Sequence, residues 1–293
     1  MKPGRPSRTA EYMAFFRALE TCQPPSARLF DDPYAVALLP GWLRAVVRLA
    51  ALPLIGRALP WLVDRGWPLT RSSGVVRTRL IDDAVAEALA NGATQLVLLG
   101  AGLDSRPYRL LHGRPVSVFE VDHPATQRAK RERLLAVLGE LPSNVRYLSV
   151  DFERDDLQAA LEAAGYAPAG RAVIVWEGVV SYLSAASVDR TFSILSRLAA
   201  PASRLIFTYV DRGALDGSIH FAEAARWRGW VRFSGEPFTF GFEPAELPAY
   251  LADRGFRLLT DITTAAAAER YCPPLRRGEP GSRLYRVAVA ERA

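Results

Sequence analysis

Two glycines at the end of a short apolar run give the first chemical signal in this sequence. Gly100 and Gly102, with Ala101 between them, directly follow the β-rich stretch Gln95–Leu99. Glycine has no Cβ, so a turn of this kind lets the main chain approach a bound molecule closely. Ser105 stands where the pattern G-x-G-x-x-G would have its third glycine. The turn therefore predicts a ligand of unspecified kind, and a tight turn without a ligand is the competing interpretation.

Acidic side chains occur near the ends of the next three predicted strands. They are Glu120 and Asp122 on the second strand, Asp151 after the third and Glu177 after the fourth. Carboxylates at these places can accept hydrogen bonds from a ribose or an adenine amino group, the latter beside the Phe152 amide, or pair with an ammonium group. The set predicts a site for a nucleoside that carries an amino acid. Solvated strand ends and helix N-caps are the simpler explanations.

A sheet with these strand ends on one edge is needed to bring the residues together. From residue 95 the chain alternates β-rich apolar runs with helical stretches, which is typical of a mostly parallel sheet covered by helices on both faces. Only a loop is expected between the last two strands, so they are predicted to be antiparallel and one strand of the sheet reversed. The predicted strands are 95–99, 116–121, 146–150, 172–177, 204–209, 256–262 and 284–290.

Further segments are predicted to cover this sheet. Residues 1–74 have helical periodicity broken by prolines and are predicted to form a helical cap or lid, with the main domain at 75–293. A helix is predicted at 76–90, where apolar residues recur on one stripe. An insertion at about 212–242 is predicted to be an aromatic lid. Its aromatic residues are Trp227, Trp230, Phe233, Phe238, Phe240 and Phe242.

Composition limits the partners of the chain. The net charge is +6, but the arginines are dispersed among acidic residues, so no nucleic-acid partner is expected. Cys22 and Cys272 are too few and too distant to suggest a disulfide framework or a zinc site, and no metal is predicted. The apolar stretch 43–63 contains arginines and prolines, so a spanning helix is not expected and an interfacial helix is the lesser alternative. We expect a cytoplasmic protein, because no secretory signal is recognised at the N-terminus, and leave a homo-oligomer open.

Five motifs in the chain have the order and spacing of a known family. The chain resembles the leucine carboxyl methyltransferase-like family and its bacterial natural-product O-methyltransferases from about Ser7 to Tyr209. The motifs are VRTRLIDD, QLVLLGAGLDSRPYRL, VFEVDHPATQRAK, VDF and WEGVVSYLS. The resemblance implies an α/β fold of the Rossmann-like class I methyltransferase type, with seven strands. It also implies transfer of a methyl group from S-adenosyl-L-methionine (SAM) to an oxygen of a small molecule.

The resemblance also implies a role for the residues near the strand ends. Arg77 would bind the methionine carboxylate, for which an arginine fork is well suited and which NAD does not have. The competing interpretation of Arg77 is an ion pair on the helix surface, with Asp82 or another acid. The implied cofactor-binding residues are Arg77, Gly100, Ala101, Gly102, Glu120, Asp122, Asp151, Phe152 and Glu177.

The chemistry of the acceptor decides whether a catalytic base is needed. Methyl transfer from sulfur is an in-line displacement, so a carboxylate acceptor needs only positioning, whereas a hydroxyl acceptor benefits from a general base. Tyr209, Asp211 and His220 are the candidate bases, each with a structural role as the alternative. The aromatic insertion suggests an apolar, polyketide-like acceptor from secondary metabolism. An NAD(P)-dependent oxidoreductase and a non-catalytic SAM-binding protein are the alternative functions.

Overall fold

A computed structural model describes residues 7–50, 52–66, 69–111, 113–221, 238–275 and 280–293. Its strands are β1 (Gln95–Leu99), β2 (Ser117–Asp122), β3 (Val145–Ser149), β4 (Ala172–Trp176), β5 (Arg204–Val210), β6 (Phe256–Thr263) and β7 (Tyr285–Arg292). Its first six helices are α1 (Arg8–Thr21), α2 (Gly41–Ala50), α3 (Pro53–Gly66), α4 (Thr70–Ala90), α5 (Arg106–Arg109) and α6 (Pro124–Leu138). The later helices are α7 (Leu157–Ala163), α8 (Ala185–Leu198), α9 (Arg212–Asp216), α10 (Leu247–Ala252) and α11 (Thr264–Tyr271).

The strands form one sheet in the order β3-β2-β1-β4-β5-β7-β6. β1 to β5 pair in parallel, and β7 is antiparallel to both of its neighbours. The predicted seven-stranded sheet with one reversed strand is therefore confirmed. Strand order reverses between β1 and β4, and in open α/β sheets ligands bind outside the carboxyl ends of the strands at such a switch point.

The connection between β6 and β7 differs from the predicted loop. Helix α11 occupies it, with Thr263 as the N-cap, whose hydroxyl accepts a hydrogen bond from the Ala266 amide at 3.1 Å. The run of alanines that follows residue 264 favours this helix. β7 inserts between β5 and β6 and is antiparallel to both. The reversed strand is confirmed, whereas the prediction that only a loop joins the last two strands is wrong.

Both faces of the sheet are buried, because successive residues of a strand point to opposite sides. On β1, Leu96 and Leu98 belong to one core cluster, and Val97 and Leu99 belong to the other. Residues of α1 to α4, α6 and α11 join the first cluster, whereas residues of α7, α8 and α10 join the second. This two-sided burial explains why the central strands are continuous apolar runs.

The N-terminal helices belong to the main core. Phe16 of α1 and Val47 of α2 lie in the same buried cluster as the strand residues. Helix α4 begins at Thr70, so the predicted boundary between residues 74 and 75 falls inside it, and the predicted start at 76 is six residues late. The first turn is helical although serines favour caps and turns. Tertiary contacts compensate: Ser72 donates to the Pro280 carbonyl at 2.6 Å, and Ser73 accepts from the Ser282 amide at 3.1 Å.

The aromatic insertion is described only at its two ends. Trp227, Trp230 and Phe233 lie outside the described residues. Phe242 is buried in the second core cluster, with the rings of Phe240 and Tyr250 each 4.9 Å away, so the end of the insertion packs as core. Within the described ranges, no helix combines the length and the apolar character that crossing a bilayer requires.

Candidate functional site

A cavity of about 600 Å³ lies at the carboxyl ends of β1 to β4. Its wall is completed by α1, by the first turns of α4 and by residues 238 and 239. The structure brings nearly all the predicted cofactor residues to this cavity: Arg77, Gly100, Ala101, Gly102, Asp122, Asp151, Phe152 and Glu177. Glu120 does not line it. Residues separated by up to a hundred positions in the chain therefore meet at one switch point.

The order of these groups across the sheet matches the parts of SAM. Asp151 follows β3, Asp122 ends β2, the glycine turn follows β1, and Glu177 follows β4. Neighbouring strands lie roughly 4.8 Å apart, so the row extends over about 14 Å. Groups suited to adenine, to a ribose and to an amino acid thus succeed one another in the order in which SAM presents those parts. The residues fit this cofactor.

The glycine turn after β1 has a different cause from the expected one. Gly100 and Gly102 have φ values of +68° and +47°, in the left-handed region that favours glycine. A Cβ on Gly100 would lie 2.2 Å from Cγ2 of Val179, and one on Gly102 would lie 3.2 Å from Cβ of Ala10. Protein side chains, rather than only a ligand, therefore exclude larger residues. Val179 and Ala10 themselves line the cavity, so the glycines allow both to approach the turn.

Main-chain amides hold the Asp122 side chain next to the glycine turn. Its carboxylate accepts hydrogen bonds from the amide of Gly102 and from that of His123. Burial raises the pKa of Asp122, although these two amides oppose the effect. Carboxylate oxygens have acceptor capacity beyond these bonds, which a ribose diol can use. His123 lines the cavity beside it and caps α6 by accepting from the Ala125 amide at 3.3 Å.

Arg77 and Glu177 pair with each other at the opposite end of the cavity. Nε of Arg77 donates to Oε1 of Glu177 at 2.7 Å, and its guanidinium lies 5.0 Å from the Tyr285 ring centroid. Burial disfavours the ionised form of Glu177, but Arg106 and Arg77 outweigh it and lower the pKa of this carboxyl. A charged acid and a charged base side by side suit the ammonium and carboxylate of a free amino acid.

Arg106 was not predicted as a site residue, and it contacts this pair on the side away from the cavity. It is 2% exposed and donates from Nη1 to Oε2 of Glu177 at 2.7 Å and to Asp104 at 2.5 Å. Its Nε donates to Asp82 at 2.7 Å. Asp82 is thus paired with Arg106 and Arg109 and not with Arg77. Arg77 does pair with another acid, Glu177, but Arg77 is buried and this ion pair is not on the helix surface. The signal that the sequence offered was an arginine four residues after Gly102.

Glu120 lies behind the site instead of within it. It is 1% exposed, pairs with Nζ of Lys130 at 2.8 Å and accepts a hydrogen bond from the Tyr108 hydroxyl at 2.8 Å. Burial raises the pKa of Glu120 despite the attraction of Lys130. The position two residues before the strand end places this side chain under α6, where Lys130 reaches it. Its predicted contact with the cofactor is therefore corrected to a buried ion pair.

Asp151 and Phe152 lie on the cavity wall beyond β3. The carboxylate of Asp151 accepts from the Glu153 amide at 3.0 Å and thereby closes a turn. The N-cap of α7 is Asp156, which accepts from the Ala159 amide at 3.0 Å, so the helix-cap alternative for Asp151 does not hold. Asp151 lines the cavity next to β3, and its contact with adenine stays a prediction.

The three candidate bases do not line the cavity that the described residues form. The Tyr209 hydroxyl is directed to Asp261, to which it donates at 2.7 Å. Asp211 is the N-cap of α9 and accepts from the Gly213 amide at 2.9 Å. His220 is exposed. The structure thus gives Tyr209 and Asp211 the structural roles that were their alternatives.

Several cavity residues were not predicted as cofactor-binding or catalytic residues. The wall near Arg77 contains side chains from five separate parts of the chain, which only folding brings together. They are Met13, Thr70, Ser73, Tyr182, Phe238 and Tyr285. Among the described residues, no group of histidine, cysteine, aspartate and glutamate side chains is arranged to hold a metal ion.

Comparisons with known proteins agree with the family that the motifs resemble. The sequence model of the leucine carboxyl methyltransferase family matches residues 10–196. A relative from Frankia alni, described as a SAM-dependent methyltransferase, is 33% identical over 280 residues, 92% of this chain and 87% of its own. A second, from Mycobacterium sp. strain KMS and described in the same way, is 35% identical over 279 residues, with 90% and 87% covered.

Solved structures are similar in fold at much lower identity. A protein described as a methyltransferase, from Thermobifida fusca, has a TM-score of 0.56 at 16% identity, with 99% of this chain and 96% of that one covered. A DUF574 family protein from Streptomyces avermitilis also has a TM-score of 0.56 at 16% identity, covering 94% and 100%. The family match and the sequence relatives favour SAM over the nicotinamide alternative. The chain belongs to the leucine carboxyl methyltransferase family and is a SAM-dependent methyltransferase.

Proposed function

We propose that this methyltransferase acts on an oxygen, carboxylate or hydroxyl, of a small apolar molecule. The observation that carries the proposal is the character of the cavity near Arg77 and Glu177. Its wall combines aromatic rings and hydroxyl groups, and the acid within it is already bound by two arginines. Such a pocket suits an uncharged or weakly acidic ring system with one reactive oxygen.

The described residues would hold SAM along the strand ends. Arg77 would bind the methionine carboxylate, Glu177 the ammonium, Asp122 the ribose, and Asp151 with the Phe152 amide the adenine. Bound SAM supplies a methyl group on a positively charged sulfur. Arg106 keeps Glu177 in place, and we regard it as a positioning residue because it contacts Glu177 without lining the cavity.

The acceptor would lie against the aromatic wall. The rings of Tyr182 and Phe238 have centroids 4.9 Å apart, and both line the cavity. The neighbouring Thr239 amide donates to the Ser181 carbonyl at 2.8 Å, which fixes this segment beside the strand ends. Flat apolar surfaces of this kind pack well against an aromatic acceptor. A polyketide-like acid or phenol of secondary metabolism therefore fits the proposal.

The protein would act mainly by alignment and by exclusion of water. Glu177 is a weak base, because Arg106 and Arg77 lower its pKa. A carboxylate acceptor brings its own negative charge, and a phenol acquires one as the pH rises. Catalysis then consists of holding that oxygen in line with the methyl group in a closed site.

A matched set of acceptors tests the proposal. The same aromatic ring would be offered as a carboxylic acid, a phenol and an amine, with SAM labelled in its methyl group. We expect label on oxygen, at a rate nearly independent of pH from 6 to 9 for the acid and rising with pH for the phenol. Methylation of the amine alone, or of carbon, would overturn the assignment to oxygen.

A further inference from the structure

Helices α2 and α3 and the link between them expose an unusual concentration of large apolar side chains. These residues are between 38% and 61% exposed, and they are Trp42, Leu49, Leu52, Ile55, Trp61 and Leu62. We call them the 42–62 face. In the rest of the described chain only Leu135, Val137 and Ile219 are comparable. Scattered surface apolar residues are ordinary, whereas a contiguous group marks an interaction surface.

The exposed residues form outward stripes on both helices. On α2, Leu43 and Val47 point into the core, while Trp42 and Leu49, seven positions apart, are exposed on another side. On α3, Ile55 and Leu62 have the same seven-residue spacing. Because residues three, four and seven apart share a helix face, each helix presents apolar surface away from the core it packs on.

Positive charge accompanies this face. Residues 41–66 contain four arginines and one acidic residue, Asp64, whose carboxylate is paired with Arg71 at 2.5 Å. Arg48 and Arg65 are exposed, and the guanidinium of Arg65 lies 5.8 Å from the Trp61 ring centroid. Arginine stems can lie along apolar surface while their heads reach toward anions.

We infer that the 42–62 face docks onto a membrane surface that contains anionic lipid. Tryptophan at both ends of an apolar helical surface, with arginines beside it, is the composition of helices that lie in the membrane interface. A second copy of the chain would bring like charges together, and a nucleic acid would leave the apolar side chains in water. An interfacial helix was the lesser alternative from the sequence, and the exposure of these side chains favours it.

Vesicle sedimentation tests the inference. The full-length protein is mixed with vesicles of phosphatidylcholine, or of equal parts of phosphatidylcholine and phosphatidylglycerol. We expect stronger binding to the mixed vesicles, weakened by salt, and a loss of about tenfold or more in the double variant Trp42→Ser/Trp61→Ser. The matched control Leu135→Ser/Val137→Ser removes exposed apolar side chains from α6 and should bind like wild type.

Two further measurements guard against misfolding and self-association. Binding of S-adenosylhomocysteine, measured by calorimetry, should be the same in both double variants, which keeps this test separate from the proposed function. For the wild type, quenching of tryptophan fluorescence by brominated lipid requires no variant and should occur with the mixed vesicles. Absence of binding and quenching would overturn the inference. So would equal binding to neutral vesicles, or a dimer in solution that the Trp42→Ser/Trp61→Ser variant abolishes.

Discussion

Two clusters of charged residues near the strand ends differ in what lies next to them. In the rim cluster, Arg77 and Glu177 pair at 2.7 Å beside the cavity, and the Glu177 side chain is 18% exposed. In the buried cluster, Glu120 and Lys130 pair at 2.8 Å and each is 1% exposed. The bonds are alike in length and chemistry. Only the rim cluster has space beside it in which a ligand can bind.

This difference assigns the clusters to different tasks. The charges of the buried cluster compensate each other, so loss of one partner leaves an unpaired charge in the interior, which is a cost in stability. The charges of the rim cluster can be shared with a zwitterion, so loss of one partner should affect binding more than folding. Three predictions follow from the comparison, and each removes one charge.

Loss of Lys130 should have the largest effect. We expect Lys130→Met to lower the free energy of unfolding by about 3–5 kcal/mol, because Glu120 is left buried without its cation. The measurement is urea denaturation at neutral pH. Arg257→Met is the control, since Arg257 pairs with Glu291 at 2.7 Å but is 68% exposed, and it should cost at most about 1 kcal/mol.

A double variant sharpens the prediction for Lys130. Adding Glu120→Gln removes the unpaired charge while the Tyr108 hydroxyl keeps an acceptor. It should restore part of the lost stability. An equal loss in Lys130→Met and Arg257→Met would contradict the view that the buried cluster is a structural ion pair.

Asp104 lines the cavity and contacts Arg106. Loss of its charge should lower the free energy of unfolding by an intermediate amount that depends on pH. Burial opposes its ionisation, but Arg106, Lys130 and Arg17 lower the pKa of Asp104 to about 2. The pKa of Asp104 is lower in the folded chain than in the unfolded chain, where it is near 4, so the ionised carboxylate stabilises the fold at neutral pH. This stabilisation disappears as the pH falls toward 2. Asp104→Asn should therefore cost about 2 kcal/mol at neutral pH.

The pH profile separates this charge effect from a packing effect. The difference between wild type and Asp104→Asn, measured by urea denaturation, should narrow as the pH is lowered from 5 to 2. Asparagine keeps an oxygen for the Arg106 amide, which donates to Asp104 at 2.8 Å. A difference that stays constant over this range would show that the carboxylate charge is not responsible.

Loss of the Arg77 side chain should have the smallest effect in free energy. We expect this effect on cofactor binding and not on the stability of the fold. Arg77→Ala is expected to weaken S-adenosylhomocysteine binding by at least tenfold, about 1.4 kcal/mol, because the methionine carboxylate loses its guanidinium. Isothermal calorimetry measures the dissociation constant. Arg79→Ala is the control, since Arg79 lies on the same helix, is 41% exposed and pairs with Asp83. An unchanged constant in Arg77→Ala would remove Arg77 from the cofactor site.

Sequence reasoning reached the fold and most of the candidate site because both depend on local patterns. The strand ends are recognisable as apolar runs followed by glycine or acid, and parallel pairing places those ends on one edge whatever the details of packing. Gly100, Asp122, Asp151 and Glu177 could thus be selected together. Glu120 has the same chemistry and nearly the same position as Asp122, yet its side chain is buried under α6.

The failures have a common physical origin. Alternation along β2 puts Glu120 and Asp122 on the same side of the strand, but it does not say that Lys130 covers one of them. The base candidates Tyr209 and Asp211 were chosen for their place at the end of β5, but in the structure Tyr209 donates to Asp261 and Asp211 caps α9. Partners from distant parts of the chain cannot be read from spacing.

By itself the sequence determined the sheet, the glycine turn and the acids that follow the strands, because hydrophobic period and backbone sterics act over a few residues. The tertiary structure alone decided which charges face the cavity, which are sealed behind it, and that Arg106 holds Glu177. It also decided that α2 and α3 leave apolar side chains in contact with solvent. These outcomes depend on burial and on pairing across the fold, which are properties of the packed chain as a whole.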